Sequence, residues 1–161
     1  MRSKLTALLI GLLTVAFVAA AGVGGSLYWN RVMQRAQAVT RAELPTLATD
    51  QIPKVFGYDY QTVERSLTET YPLLAPGFRQ KFEEDATAKV IPEARKRQLV
   101  VQISIVGVGV MTAQRESGSV LVYMNRTVTD KSRQPLYDGS RLKVDYRKVD
   151  GNWLINAINP I

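Results

Sequence analysis

The chain has 161 residues, a formal net charge of +7, no cysteine and no histidine. Without cysteine there are no disulfides, thiol nucleophiles or thiolate metal sites. Without histidine the commonest general base and the commonest metal ligand are both missing.

Between Lys4 and Arg31 there is no charged residue, and the run from Leu5 to Leu27 is rich in Leu, Val, Ala and Gly. As a helix it would extend roughly 35 Å, enough to cross the hydrocarbon core of a bilayer. This predicts a short cytoplasmic N-terminus (1–4) and a transmembrane anchor (5–28), with Tyr28 and Trp29 at the interface. Arg2 and Lys4 favour an N-inside orientation, although Arg31, Arg35 and Arg41 flank the other end. A secretory signal peptide cleaved near Ala19-Ala20-Ala21 is the alternative, but the apolar stretch exceeds the usual h-region of roughly 7–15 residues. Ala7 with Gly11, and Ala21 with Gly25, form small-xxx-small pairs that let helices approach closely in lipid. The lipid bilayer is thus the first expected partner, and another membrane protein the second.

A helical stalk is predicted over 29–57, with Val32, Ala36, Val39 and Ala42 as its apolar stripe. Pro45 and Pro53 are expected to kink or end it, and Gly57 to punctuate. Thr62 is placed to cap a second helix carrying Val63, Leu67, Tyr71 and Leu74 on one face. Pro76 and Gly77 open a third, where Phe78, Phe82, Ala86 and Val90 recur every fourth residue. Pro92 is expected to bend it before the basic tail Arg95-Lys96-Arg97.

From Gln98 the period changes to two. Leu99, Val101, Ile103 and Ile105 alternate with Val100, Gln102 and Ser104, which predicts a strand. Gly107 and Gly109 suggest a bulge or bend in it. Ser117-Gly118 reads as the turn into a second strand, Ser119 to Thr129, followed by a polar loop from Asp130 to Gly139. Leu142, Val144 and Tyr146 alternate along a third strand. Asp150-Gly151 is a two-residue hairpin signal, and Asn152 to Ile158 returns as the fourth. Helices first and then an antiparallel meander make an α+β plan, in which a bent four-stranded sheet wraps around its own helices.

Basic residues gather at Arg95, Lys96 and Arg97 and along the strand at Arg141, Lys143 and Arg147, the candidate interaction surface. Nucleic-acid binding calls for aromatics interleaved as stacking platforms, and Trp153 alone is poor support, so nucleic acid is not expected as a partner. Asp145 between Lys143 and Arg147 suits ion pairing, and Glu83, Glu84 and Asp85 read as a solvated acidic run.

One ordered set of motifs resembles the Mce-associated membrane proteins, an actinobacterial family that accompanies Mce lipid-import transporters. It runs Tyr58-Asp59-Tyr60 ahead of Thr62-Val63-Glu64, Leu73-Leu74, Gly77-Phe78 and Val122-Tyr123-Met124-Asn125-Arg126-Thr127-Val128-Thr129. It closes with Asp138-Gly139-Ser140-Arg141, Asp150-Gly151-Asn152-Trp153-Leu154 and Asn159-Pro160-Ile161. The resemblance spans essentially the whole chain; Pro45 and Pro53 depart from it, falling in a segment that is usually one continuous helix. It implies a single span followed by an NTF2-like cone (58–161) on the outer side of the cytoplasmic membrane. It also implies a non-catalytic accessory role beside membrane or external subunits of a Mce-type transporter, with no cofactor or metal.

Because NTF2-like cones often hold a pocket, Asp59, Tyr60, Phe78 and Phe82 are pocket candidates, with a lipid as ligand. An isomerase-like site would use Asp59 as base, against which helix-start capping is the plain account. A lipid-binding or isomerase-like cone is therefore the alternative function, and a secretion-system scaffold a third.

Overall fold

The computed structural model describes the backbone from Arg2 to Ile161, the side chains of residues 31–161, and those of Phe17, Tyr28 and Trp29. The chain divides into two compact units, Met1–Gln37 and Ala38–Ile161. Helix α1 covers Arg2–Phe56. Among the described residues no helix is long and apolar enough to cross a membrane. The predicted span, with Ala7, Gly11, Ala21 and Gly25, lies outside the described side chains.

Within the second unit α1 differs from the expected stalk. The helix passes through Pro45 and Pro53 instead of ending. Leu44, Ala48, Ile52 and Val55 are buried in the core at the three- and four-residue spacing of one helix face. Val39, from the apolar stripe of the predicted stalk, is 54% exposed. The residues expected to form the last part of a stalk are therefore the central helix of the domain. At Gly57 the helix closes with an N–H donated to the Pro53 carbonyl (2.8 Å). A Cβ here would come within 2.6 Å of that oxygen, so only glycine fits the exit.

Strand β1 (Tyr58–Asp59) follows, then α2 (Val63–Thr70), a 3₁₀ turn at Tyr71–Leu73 and α3 (Pro76–Asp85). A π-turn (Ala86–Val90) joins α3 to α4 (Ile91–Arg97). The turn explains the repeat of four: at 3.6 residues per turn a spacing of four drifts around an α-helix, and a wider turn brings the row back. Phe78 and Phe82 thus face the main core while Ala86 and Val90 pack in a second cluster with Phe82. It also makes room for Pro92, whose ring would crowd the Ala88 carbonyl in a regular helix. Gln98, in left-handed conformation (φ 54°), ends α4, and Leu99 N–H donates to the Ala94 carbonyl.

Four long strands complete the sheet: β2 (Val100–Ala113), β3 (Ser117–Thr129), β4 (Pro135–Val149) and β5 (Asn152–Pro160). With β1 the sheet has five strands, not four, in the order β1-β2-β3-β4-β5, all antiparallel. Two bulges fall in β2, at Val106 beside Gly107 and at Met111. The Asp150-Gly151 turn forms as expected, with φ 50° and 83° at its two residues.

Gly118 is not a turn residue. The turn is at Gln114–Ser117, where Gln114 N–H donates to the Ser117 carbonyl, and Gly118 is buried in β3. A Cβ on it would collide with the Leu44 side chain and lie 2.9 Å from the Thr112 carbonyl. The glycine lets α1 press onto the sheet. Val120, Val122, Met124, Leu142, Val144, Tyr146, Trp153 and Ile155 form the sheet's side of that contact.

Candidate functional site

A cleft of about 420 Å³ opens beside the second core cluster. Val55 and Phe56 of α1, Leu67 of α2, Phe82 of α3, Val90 of the π-turn and Val101 and Val128 of the sheet form its apolar walls. Tyr58, Arg97 and Arg126 supply its polar end. Burial pushes the Tyr58 phenol above its ordinary range; nearby Arg126 opposes the shift and Glu93 adds to it. Both guanidinium groups are engaged. Arg126 Nη2 lies 2.8 Å from Asp138, and Arg97 lies 3.4 Å from Glu93 and 3.7 Å from Asp130. The cleft can hold an apolar chain with a polar head at the arginine end.

A wider groove of about 790 Å³ runs between α1 and the β4–β5 hairpin. Glu43, Leu47, Gln51, Leu73, Trp153 and Leu154 are among its lining residues. Trp153 Nε1–H donates to Glu43 Oε2 (2.9 Å), which fastens the hairpin to α1.

The pocket candidates separate. Phe82 lines the cleft; Asp59, Tyr60 and Phe78 do not. Phe78 packs on Phe82, with ring centroids 6.2 Å apart, behind the cleft wall. Tyr60 stands beside Gln98, Val100 and Thr129 at a different surface hollow. Asp59 Oδ1 accepts the Gln61 N–H (2.9 Å), and its carbonyl accepts the Thr62 N–H (3.0 Å). This is an Asx turn in the segment that leads into α2. Thr62 holds the cap position without a side-chain cap bond, contrary to expectation.

The basic candidates form two groups. Arg141, Lys143 and Arg147 alternate along β4 with the buried Leu142, Val144 and Tyr146, so they stand on the sheet face away from the helices. Lys143 pairs with Asp145 at 3.2 Å, as expected. On α4, Arg95 reaches Glu64 (3.0 Å) and Arg97 reaches Glu93, while Lys96 is exposed. Among the described residues no cluster of three or more carboxylates could hold a metal ion.

No family model matches the chain. In sequence it is 27% identical to the outer membrane protein Rv1973 of Mycobacterium tuberculosis, over 85% of this chain and 86% of that protein. It is 26% identical to the uncharacterised protein Rv1362c of the same organism, over 93% of this chain and 70% of that one. In structure it matches the periplasmic domain of DotI (TM-score 0.64, 11% identity, 74% of this chain and 94% of that one). It also matches an IcmL-like type IV secretion system protein of Legionella pneumophila (0.63, 12%, 75% and 93%). VirB8 of Agrobacterium tumefaciens matches as well (0.56, 15%, 79% and 92%).

The fold is VirB8-like. That is the NTF2-like, α+β plan expected from the sequence, with one more strand. At these identities the structural likeness establishes the fold and not a role.

Tyr58, Leu67, Val90, Arg126 and Val128 of the cleft were not singled out as site residues in the sequence. They come from four elements, β1, α2, the π-turn and β3, which only the folded chain brings together. Val90 and Leu67 left a trace as members of apolar helical rows, and Tyr58, Arg126 and Val128 as motif residues, none of which marks a pocket.

Proposed function

We propose that the chain is a non-catalytic, membrane-anchored accessory subunit that stabilises or assembles a Mce-type lipid-import transporter at the cell envelope. The observation that carries this reading is the juxtaposition of an uncharged run, Leu5 to Leu27, with a following VirB8-like domain. Three further observations support it. A relative over most of the chain is named an outer membrane protein, matched structures include periplasmic domains, and the cone interior against β3–β5 is filled by α1 side chains.

The anchor reading places residues 1–4 inside, the span in the cytoplasmic membrane and the domain outside. A membrane-spanning helix fits that membrane, since outer membranes are crossed by closed barrels. The five-stranded sheet here is open, with β1 and β5 at its edges. The expected partners are the bilayer and membrane or external subunits of the transporter. Residues Ala7, Gly11, Ala21 and Gly25 serve helix contacts in lipid, and Arg141, Lys143 and Arg147 serve contacts outside it.

One observation favours a second reading, a carrier of a lipid or other small apolar ligand: the 420 Å³ cleft with its arginine end. Deleting the gene and measuring both transporter subunit levels and lipid uptake separates the two. Falling subunit levels, restored in full by a Val90→Phe variant that fills the cleft, support bracing. Normal subunit levels with lost uptake support ligand handling and overturn the accessory reading.

A further inference from the structure

Strand β2 lies at the sheet's edge for most of its length. Its outward neighbour β1 pairs only with Val100 and Val101, and Tyr60 N–H donates to the Leu99 carbonyl (2.9 Å) just before. From Gln102 to Ala113 no backbone partner occupies that side among the described residues. In an antiparallel strand alternate residues turn both N–H and C=O to the same edge. The series that begins with Leu99 and Val101 therefore continues at Ile103 and Ile105, up to the bulge at Val106.

Natural sheet edges are usually blunted by charge, proline, bulges or a covering segment, and in β2 the two bulges leave Gln102–Ile105 as the regular, unblunted stretch. This edge has neither charge nor proline: from Gln98 to Gln114 there is no ionisable residue, although Arg97 and Arg115 flank the run. Its two bulge residues are large and apolar, with Val106 66% and Met111 50% exposed. The opposite edge of the sheet is covered at its middle, around Ile155. Ala75 N–H donates to the Ile155 carbonyl (2.8 Å), Leu74 bridges alongside Ile155, and β5 ends at Pro160, which has no N–H.

We propose that the β2 edge pairs antiparallel with the β2 edge of a second copy of the chain, joining two five-stranded sheets across a two-fold axis. Each chain carries +7, so two copies repel wherever their charged surfaces meet. Antiparallel pairing of β2 with itself places neutral segment against neutral segment. A two-fold pairing uses the same β2 edge of both copies, so it closes at two and does not propagate into a filament. It also removes Val106 and Met111 from water.

The test uses the full chain in detergent micelles. Light scattering is expected to give the protein mass of two chains. The double variant V106K/M111K, which places charge at two exposed positions, is expected to give one chain with an unchanged unfolding temperature. Because the chain has no cysteine, Gln102→Cys and Ser104→Cys can each be oxidised cleanly. At least one is expected to yield a disulfide-linked pair, and Asn159→Cys on β5 is expected to yield none. A one-chain mass for the parent protein overturns the proposal. So does a two-chain mass that persists in V106K/M111K, which would assign association to the anchor, or cross-linking of Asn159→Cys in preference to the β2 positions. A stable complex of the β2 edge with a strand of a different protein, in place of the second copy, overturns it as well.

Discussion

Tyr146 is among the largest side chains of the core, and its hydroxyl is buried without a hydrogen-bond partner in the protein. A polar group buried in this way costs about 1–3 kcal/mol. Tyr146→Phe keeps the ring and removes the orphan, so its stability at neutral pH is expected to equal or exceed that of the parent in urea unfolding. The same residue sets a pH dependence. Burial holds the Tyr146 proton well above the ordinary range, whereas an unfolded tyrosine releases it at about pH 10. The native state is then the more protonated one above that pH, so stability falls as pH rises past it. The Phe variant is expected to lose stability less steeply there, and equal alkaline slopes would refute the assignment.

Gly118 makes a contrasting case of a residue whose value lies in what it lacks. Its neighbours are a Leu44 methyl and a backbone carbonyl, and the carbonyl cannot move without disturbing the β2–β3 ladder. Gly118→Ala is expected to cost about 1–3 kcal/mol, the usual range for overpacking, read as a lowered urea midpoint with an unchanged slope. Gly107 and Gly109, equally visible in the sequence, have open space where a Cβ would go. They accompany the bulges without a packing need, which is why glycine content alone did not distinguish the three.

At the scale of elements, the α3–π–α4 segment shows how a repeat becomes geometry. One extra residue in the π-turn leaves the flanking helices in register with their own contacts, Phe82 on one side and Ala94 on the other. Deleting Thr87, which is exposed, is therefore expected to convert the turn to ordinary α-helix and leave the protein folded. Deleting Lys81 in α3 would instead rotate everything after it by about 100°, from 3.6 residues per turn, and expose Phe82. Circular dichroism and thermal unfolding of the two deletions provide the check: a cooperative transition at a lowered midpoint for the first, because Pro92 then crowds a helical carbonyl, and a collapsed transition for the second.

The strands were the most legible elements, because a period of two with Val, Ile and Leu on one face is hard to satisfy otherwise. Leu142, Val144 and Tyr146 are buried as that period requires, and Asp150-Gly151 turns as its residue types demand. Boundaries were less legible. β4 starts at Pro135, where a polar loop was expected. Its first residues are exposed on both faces, so Leu136 and Tyr137 show no alternation of burial to read. β1 has two residues, too few for any period, and its pairing with Val100 and Val101 is what makes it a strand. Prolines misled for a related reason. A proline inside a helix costs about 3 kcal/mol on its own, and burying Leu44, Ala48, Ile52 and Val55 along the same helix outweighs that.

For the whole molecule, the compact unit begins at Ala38, some twenty residues before the start suggested by the motif Tyr58-Asp59-Tyr60. A fragment of residues 38–161 is expected to fold with a single cooperative transition. One of residues 58–161 is expected to remain unfolded or aggregate, since the sheet would lose the helix that covers Val120, Val122 and Val144. Folding of the shorter fragment would show that α1 is dispensable and return it to the role of a stalk.

By itself the sequence determined the order of the helices and long strands, the α+β class, the buried faces of β2 and β4, and the uncharged N-terminal run. These depend on local periodicity and charge, which neighbours along the chain can express. Only the tertiary structure decided that α1 belongs to the core, that Gly118 is a contact and not a turn, that the cleft draws on elements from α1 through the sheet, and that β2 is left with an open edge. Each of these arises where residues far apart in sequence meet, and no local pattern encodes which surfaces the folded chain covers.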